Sequence, residues 1–162
     1  MESTPKEVSP ASRYIEPLTA REAFQASHLL RMEDRRELQG SGHHPMICLP
    51  HSVFLSTNPI KFFNRDREVS GFAGVVDEGG GIGRVWMLCT PAVEKIPFLF
   101  VKEAKRWLAS QPYTMLHNVA DPRNYMHLKL LHMLGFHRLS YVAVGPKYLT
   151  YVEFAKLCAL PQ

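Results

Sequence analysis

One stretch near the end of the chain, Asp121 to Phe136, carries its own start and stop signals for a helix. Asp121 is a favoured N-cap, because its carboxylate accepts the unpaired amide protons of a first helical turn. Pro122 then suits the first helical position, and Gly135 supplies the left-handed residue that commonly closes a helix. Strand-like segments flank this helix on both sides. The sequence therefore predicts a strand–helix–strand unit of about 30 residues as the centre of the fold.

The rest of the chain alternates between strand-like and helix-like patterns, with a capping box at Thr19 and Glu22. A loop is predicted over Gly40 to Pro50. The order predicts an α+β chain whose mixed, mostly antiparallel sheet has six to seven strands, with helices on both faces. The predicted strands are Tyr14 to Pro17, Ile60 to Asn64, Val69 to Val76, Arg84 to Cys89, Tyr113 to Val119, Arg138 to Val144 and Tyr148 to Phe154. The first predicted helix follows the capping box and holds Ala23, Ala26, Leu29 and Leu30. The other predicted helices are Met32 to Leu38, Leu49 to Thr57, Ala92 to Ser110 and the central helix.

Length and composition indicate one globular domain. The 162 residues are 46% hydrophobic and 21% charged, which is ordinary for such a domain. Residues 1–12 are rich in Pro, Ser and charge and are expected to form a flexible arm, with a single domain over 13–162. No apolar run reaches the ~18 residues typical of a membrane span. The three widely spaced cysteines favour a reducing compartment.

Two sequence features invite a ligand-binding interpretation that the context does not favour. Gly79 to Gly83 is glycine-rich, but it lies between two predicted strands, whereas a phosphate loop leads from a strand into a helix. We therefore predict a hairpin there. Lys95, Lys102, Lys105 and Arg106 cluster on one predicted helix, for which a solvated face is favoured over a nucleic-acid surface.

A resemblance to the GNAT-type N-acetyltransferases rests on the spacing from Asn124 to Gly135 and Phe136. The sequence is more closely similar to small bacteriophage proteins with a degenerate GNAT fold, which include an internal virion protein of short-tailed phages. The segments that carry this second resemblance are Val85 to Thr90, Phe98 and Leu99 with Arg106 to Leu108, and Leu116 to Asp121. The resemblance covers roughly Tyr14 to Val152.

The resemblance implies a splay between two strands, Arg84 to Cys89 and Tyr113 to Val119, into which acetyl-CoA enters in an active member of the family. It also implies a glycine-containing turn at the start of the long helix that holds the pyrophosphate. The matching positions here, Glu94 to Leu99, contain Pro97 and Phe98 and no glycine. Because proline lacks an amide donor and glutamate repels phosphate, we expect no conventional cradle, with Lys95 as a partial substitute.

The family also uses a proton donor for the departing thiolate, often a Tyr, and Leu131 stands at that position. If the chain is active, His127 and His117 are the candidate proton-transfer residues, since histidine titrates near neutrality. For His127, a hydrogen-bonded role in the core is the favoured alternative. If active, the expected cofactor contacts are Lys95, Cys89, Thr90 and Asn124. For Cys89, a packing role is favoured over that of a nucleophile.

The first functional hypothesis is a phage-encoded, non-catalytic GNAT-fold protein that acts in virion morphogenesis, located in the virion or the host cytoplasm. It would need no cofactor and would contact other virion proteins or further copies of itself, with Phe62, Phe63 and Tyr148 as candidate contacts. The alternative is an acetyl-CoA-dependent N-acetyltransferase; the third is a host-directed inhibitor that binds nucleic acid or an acidic protein. No metal site is predicted, because His127 and His132 do not share a helix face.

Overall fold

The computed structural model describes residues 12–158, so the predicted arm lies outside the described residues except for Ser12. Short 3-10 helices cover Ser27–Leu29 and Pro91–Lys95. The α-helices are α1 (Ala20–Ala26), α2 (Met32–Gly40), α3 (Pro45–Leu55), α4 (Pro97–Ala109) and α5 (Tyr125–Met133). The strands are β1 (Ile15–Pro17), β2 (Thr57–Phe63), β3 (Val69–Asp77), β4 (Ile82–Cys89), β5 (Met115–Ala120), β6 (His137–Val144) and β7 (Leu149–Leu157).

The strands form one sheet of seven, in the order β1-β2-β3-β4-β5-β7-β6. Every neighbouring pair is antiparallel except β4 and β5, which run parallel. The predicted mixed, mostly antiparallel sheet is therefore confirmed. The predicted strand–helix–strand unit is present as β5, α5 and β6, but β7 lies between its two strands, so they are not neighbours.

The parallel pair is short. β4 and β5 pair only over Ile82–Arg84 and Met115–His117, although β4 continues to Cys89 and β5 to Ala120. Beyond the paired residues the two strands part, which confirms the splay that the resemblance implies. The facing backbone groups in the gap have no ladder partner and must find other hydrogen bonds.

Helices cover both faces of the sheet. α4 and α5 pack on one face, where Phe62 lies edge to face with Phe100 and Trp107 at centroid distances of 5.0 and 6.4 Å. α1 and α3 cover the other face with a smaller apolar cluster. That cluster consists of Leu18, Ala23, Leu30, Leu49, Val53, Phe72 and Leu88.

The expected exposed contacts are only partly exposed. Phe62 is 1% exposed and belongs to the core, so it is wrongly predicted as a contact; its side chain points to the face that α4 covers. Phe63 is half-buried under the Arg67 guanidinium, which lies 4.0 Å from the ring centroid. Tyr148 is 80% exposed, as a surface contact would need to be.

The predicted long helix over Ala92 to Ser110 is broken at Pro97. The chain forms the 3-10 helix Pro91–Lys95, leaves helical geometry at Ile96 and restarts as α4. Proline suits a first helical position because its missing N–H is not needed there. The irregular start that the sequence analysis expects from this proline is therefore confirmed.

Two predicted boundaries are wrong. The central helix begins at Tyr125, not at Pro122, because Asn124 is the N-cap and accepts a bond from the His127 amide at 3.4 Å. Asp121 instead accepts from the Arg123 amide at 2.9 Å, in a turn before the helix. The residues predicted as a loop contain the first turns of α3, which begins at Pro45.

Glycine residues lie at the helix end and at the hairpin turn where the sequence predicts them. Gly135 follows α5 with φ +90, in the left-handed region that an L-residue with a side chain rarely adopts. Gly79, Gly80 and Gly81 also have positive φ and turn the chain from β3 into β4. The predicted hairpin is confirmed.

Candidate functional site

Alternate residues of β4 direct their backbone groups into the splay. The Thr90 amide donates to the Ser70 carbonyl, and this antiparallel ladder alternates, so the even-numbered residues of β4 direct their backbone hydrogen bonds to β3. The amides and carbonyls of Val85, Met87 and Cys89 therefore face β5. Because β5 has parted from β4 at this point, these groups need other partners or a ligand.

Asn118 closes the narrow end of the splay. Its side-chain amide donates to the Val85 carbonyl at 2.8 Å, and its side-chain oxygen accepts from the Val119 amide at 2.8 Å. One side chain thus bridges the two strands just where the ladder ends. The Val85 carbonyl is satisfied in this way, and Met87 is the next residue of β4 whose backbone groups face the gap.

Helix α2 closes the wide end with backbone and carboxylate contacts. The Cys89 amide donates to Asp34 Oδ2 at 2.8 Å, and the Cys89 carbonyl accepts from the Arg31 amide at 2.8 Å. Both backbone groups of Cys89 are therefore used within the chain. Among the residues of β4 that face the splay, Met87 is the one for whose amide and carbonyl no hydrogen bond is found within residues 12–158.

Asp34 and Glu37 lie one turn apart on α2 and reach across the splay to α5. The Asn124 side-chain amide donates to Asp34 Oδ1 and to Glu37 Oε2, at 2.9 Å each. Glu37 Oε1 accepts from the Asp121 amide at 3.1 Å, and the Tyr151 hydroxyl donates to the Glu37 carbonyl at 2.5 Å. Buried polar groups require such partners, and this network supplies them.

His127 is the titratable side chain of α5 that this network orients. Its Nδ1 lies 3.0 Å from Glu37 Oε2, and its side chain is 13% exposed. No protein partner is found for Nε2 among residues 12–158. Burial by itself would lower the pKa of His127, but the charges of Glu37 and Asp34 outweigh it, so the pKa lies above its ordinary value.

The pKa values of the two acidic partners, Asp34 and Glu37, are shifted in opposite directions. Burial raises the pKa of Asp34, and its hydrogen bonds offset this only in part. Burial also acts to raise the pKa of Glu37, but the charge and hydrogen bond of His127 prevail, so that pKa is lowered. Burial raises the pKa of Tyr151 to about 12, so this hydroxyl stays protonated. Glu37 and His127 therefore form a buried ion pair.

Two cavities meet beside His127. The larger, of about 700 Å³, passes through the splay and contacts β4, α3 and α5. The smaller, of about 300 Å³, lies between β4, the start of α4 and α5, with largely apolar walls. Both are lined by Met87, His127 and Leu130. An imidazole and an open backbone position therefore stand where ligands entering from opposite faces of the sheet would meet.

The residues predicted to contact a cofactor occupy different places. Lys95 binds Glu68 at 3.3 Å on the surface and does not line the smaller cavity. The Thr90 hydroxyl donates to the Val69 carbonyl at 2.6 Å. Cys89 lines the smaller cavity, and burial raises the pKa of its thiol well above the ordinary value, which suits packing better than nucleophilic attack. Asn124 orients the start of α5 and both α2 carboxylates.

His117 is not brought to the splay junction. Its Nε2 is hydrogen-bonded to the Glu78 carboxylate near the surface, and its side chain is 35% exposed. Of the two histidines predicted as proton-transfer groups, His127 lines both of the cavities described above and His117 lines neither. Asp34 and Glu37 are not predicted as site residues from the sequence. The signal that could have indicated them is their i, i+3 spacing on a charged helix.

The start of α4 fits a pyrophosphate poorly. Pro97 has no amide to donate, the Phe98 side chain is 84% exposed beside the cavity, and Glu94 is directed towards Arg31 at 3.7 Å. Arg31 Nε is buried without a hydrogen-bond partner. The apolar walls and the Met87 edge fit the amide-bearing pantetheine arm of coenzyme A, whereas the helix start lacks a backbone cradle for the diphosphate of coenzyme A.

Other classes of site find no support within residues 12–158. No group of three or more His, Cys, Asp or Glu side chains there is arranged to hold a metal ion. None of the helices in this range is long and apolar enough to cross a membrane.

No family model matches the sequence, and no curated protein matches it. Solved structures are similar in fold. Aminoglycoside acetyltransferase AAC(6')-Ib, bound to ribostamycin and coenzyme A, superposes with a TM-score of 0.64 at 15% identity, covering 89% of this chain and 92% of that one. A GNAT-family acetyltransferase from Streptococcus pneumoniae gives 0.58 at 14% identity, covering 90% and 98%. A variant of spermidine N-acetyltransferase SpeG from Vibrio cholerae gives 0.63 at 9% identity, covering 88% and 94%. The chain therefore has the GNAT fold.

Proposed function

We propose that this chain is an N-acyltransferase that transfers an acyl group from a pantetheine thioester, with acetyl-CoA as the donor to be tested, to an amine. The observation that carries the proposal is His127, which is paired with Glu37 and lines both cavities where they meet. The fold supports it, since structures of the same fold are acetyltransferases and some contain coenzyme A.

The donor is assigned to the smaller cavity. Met87 offers an amide and a carbonyl from a strand edge, and an extended chain that carries amides can pair with such an edge as an added strand would. The surrounding walls are apolar, which suits the methylene groups of pantetheine. Acetyl-CoA, when bound there, supplies an acyl carbon that is activated by its bond to a sulfur leaving group.

His127 supplies the proton in this proposal. Because Glu37 holds Nδ1 and raises the pKa, the imidazole carries a second proton at Nε2 over a wider pH range than a free histidine. In the transfer the amine nitrogen would bond to the acyl carbon and the bond from that carbon to sulfur would break. The Nε2–H would protonate the departing thiolate, and the proton that the amine loses would pass to solvent. In this proposal His127 takes the role of the Tyr that the resemblance implies. Leu131, which is buried in the core, stands at the position of that Tyr.

The test compares His127→Gln with His132→Gln. His132 is on the same helix and exposed, so its substitution controls for changes to α5. Calorimetry measures acetyl-CoA binding, and release of free thiol in the presence of amines measures transfer. We expect His127→Gln to lower kcat about 100-fold or more while the Kd for acetyl-CoA changes little, because general acid catalysis contributes this much.

Two results would contradict the proposal. Absence of stoichiometric acetyl-CoA binding to the unsubstituted chain would remove the donor. An unchanged kcat in His127→Gln would remove the proposed acid, and a loss confined to His117→Gln would point instead to the surface histidine.

A specific observation favours a second candidate, a GNAT-fold protein that is not catalytic, for which virion morphogenesis is the role that the sequence resemblance implies. The Cys89 backbone is already bonded to α2, and Pro97 and Phe98 replace the cradle, so this scaffold keeps the splay with fewer groups for a cofactor. The virion role itself rests on the sequence resemblance alone. Mass spectrometry of purified particles tests it: abundant copies together with no acetyl-CoA binding would favour this candidate, and absence from particles would oppose a structural role.

A further inference from the structure

The larger cavity opens on the α3 face of the sheet, where an acceptor would enter if the donor occupies the smaller one. Arg84 and Trp86 lie on the same face of β4, because alternate residues of a strand share a face. Both line this cavity, together with Cys48 and His51 of α3. The Trp86 indole is fixed by donation from Nε1 to Ser56 Oγ at 2.7 Å.

The charges in this cavity are unusual for a site that accepts a cationic amine. Glu37 is its one acidic lining residue, and both of its carboxylate oxygens are occupied by Asp121, Asn124 and His127. A ligand cation would therefore have to displace an internal bond. A polyamine or aminoglycoside carries several positive charges and needs several such partners.

Arg84 gives the larger cavity a positive charge, which is complementary to a carboxylate on a ligand. None of the ion pairs found among residues 12–158 includes it. It lies close enough to Cys48 to oppose, in part, the rise that burial causes in the pKa of that thiol. A guanidinium presents a planar fork of donors that matches a carboxylate in two parallel bonds. His43, His44 and His51 line the same region and add no negative charge.

We propose that the acceptor is a small amine that carries a carboxylate and an apolar body, as an apolar α-amino acid does. Arg84 binds the carboxylate, while Trp86, Ile47 and Leu55 contact the apolar side chain. This inference rests on the proposed function and names the acceptor class for the same site. It separates this chain from the structures of the same fold that are named for aminoglycosides and spermidine.

A binding experiment tests this class without depending on catalysis. Trp86 fluorescence is followed on titration with L-leucine, with leucinamide and with spermidine, each with and without saturating coenzyme A. Leucine and its amide differ only in the carboxylate, so they isolate its contribution. The Trp86→Phe variant assigns the signal, since the other tryptophan, Trp107, is 5% exposed in the core.

We expect leucine to bind at least about tenfold more tightly than leucinamide, because a hydrogen bond to a charged group contributes ~1.5 kcal/mol or more. Arg84→Gln should abolish this difference, and Arg84→Lys should keep part of it. Arg138→Gln, at an exposed position of β6, should leave both affinities unchanged.

Three outcomes would overturn the acceptor assignment: equal binding of leucine and leucinamide, tighter binding of spermidine, or no binding of any amine in either condition. Failure of the proposed function is seen separately, as the absence of acetyl-CoA binding in calorimetry. Leucine binding that depends on Arg84 would stand even in that case.

Discussion

At the scale of single residues, Glu37 is the side chain on which the site depends most. It is buried and accepts bonds from the Asp121 amide, the Asn124 amide group and His127. We predict that Glu37→Gln destabilises the fold by about 3 kcal/mol, because removing one partner leaves a buried charge unpaired. The urea midpoint of unfolding measures this, with Glu33→Gln on the same helix as the control.

The Glu33 carboxylate is 45% exposed, so the control should change stability by less than about 0.5 kcal/mol. A double-mutant cycle with His127→Gln then isolates the pair itself. If the effects of the two substitutions on the free energy of unfolding are additive, Glu37 does not stabilise the fold through His127. The Glu37–His127 ion pair would then have no energetic support.

The same pair makes stability depend on pH in a defined way. The pKa of His127 is raised on folding, so its contribution is full below the ordinary value of 6.5 and is lost as pH rises through the higher folded pKa. The pKa of Glu37 is lowered, so its contribution is present above the ordinary value of 4.5 and is lost as pH falls through the lower folded pKa. The pair therefore stabilises most between these two values.

The melting temperature measured from pH 4 to pH 9 tests this directly. We predict that the unsubstituted chain loses melting temperature above about pH 6.5 relative to His127→Gln, which lacks the titrating ring. A constant difference between the two melting curves across this range would show that His127 titrates alike in the folded and unfolded chains.

At the scale of elements, the proposed donor would bring its diphosphate to the start of α4, where Glu94 adds a negative charge. Glu94 is 55% exposed in its side chain and lies 3.7 Å from Arg31. We predict that Glu94→Gln strengthens acetyl-CoA binding about fivefold, because ~1 kcal/mol of repulsion between the Glu94 carboxylate and the diphosphate is removed. Calorimetry at low salt measures the change.

The salt dependence of the affinity distinguishes removed charge repulsion from a change in the shape of the binding site. At about 1 M salt the Debye length falls to ~3 Å, so the gain should largely vanish. Glu16→Gln, on the edge strand β1, removes the same charge elsewhere and should leave the affinity unchanged. A gain that persists at high salt would contradict the electrostatic account.

Elements with strong local signals were predictable from the sequence, and those that depend on partners were not. Thr19 caps α1 as predicted, since its hydroxyl oxygen accepts from the Glu22 amide, and Gly135 ends α5 as predicted. The other half of the predicted capping box differs, because the Glu22 carboxylate accepts from the Thr19 hydroxyl and from Lys61 rather than from the Thr19 amide. The Asp121 cap is wrong because its carboxylate is held by Arg123, which local propensity does not reveal. The start of α3 was missed because Pro45 is equally compatible with a loop and with a first helical position.

At the scale of the whole molecule, the candidate site combines residues that are far apart in sequence. Asp34 and Asn124 are 90 positions apart, yet their side chains lie 2.9 Å from each other. A pattern in the sequence marks residues on one element, while the register between α2 and α5 is set by packing on both sides of the splay. The position of His127 was therefore predictable from α5 alone, whereas its acidic partner was not.

α2 joins the two parts of the sheet through side-chain hydrogen bonds. Such bonds are needed because the parallel ladder between β4 and β5 covers only three residues of each strand. Asp34 bonds to the Cys89 amide of β4 and to Asn124 at the start of α5. One side chain thus ties together the two parts of the sheet that the splay separates.

We predict that Asp34→Ala speeds hydrogen exchange of the Cys89 amide about tenfold or more relative to that of the neighbouring Leu88 amide. Asp34 is the acceptor for Cys89, and a lost hydrogen bond to a charged group is worth ~1.5 kcal/mol or more. Leu88 pairs with β3 and keeps its bond, so the ratio of the two rates cancels any loss of global stability. Exchange followed residue by residue by NMR gives this ratio. If both amides accelerate equally, Asp34 stabilises only the fold as a whole, and α2 would not hold the two strands at the distance that a ligand in the splay requires.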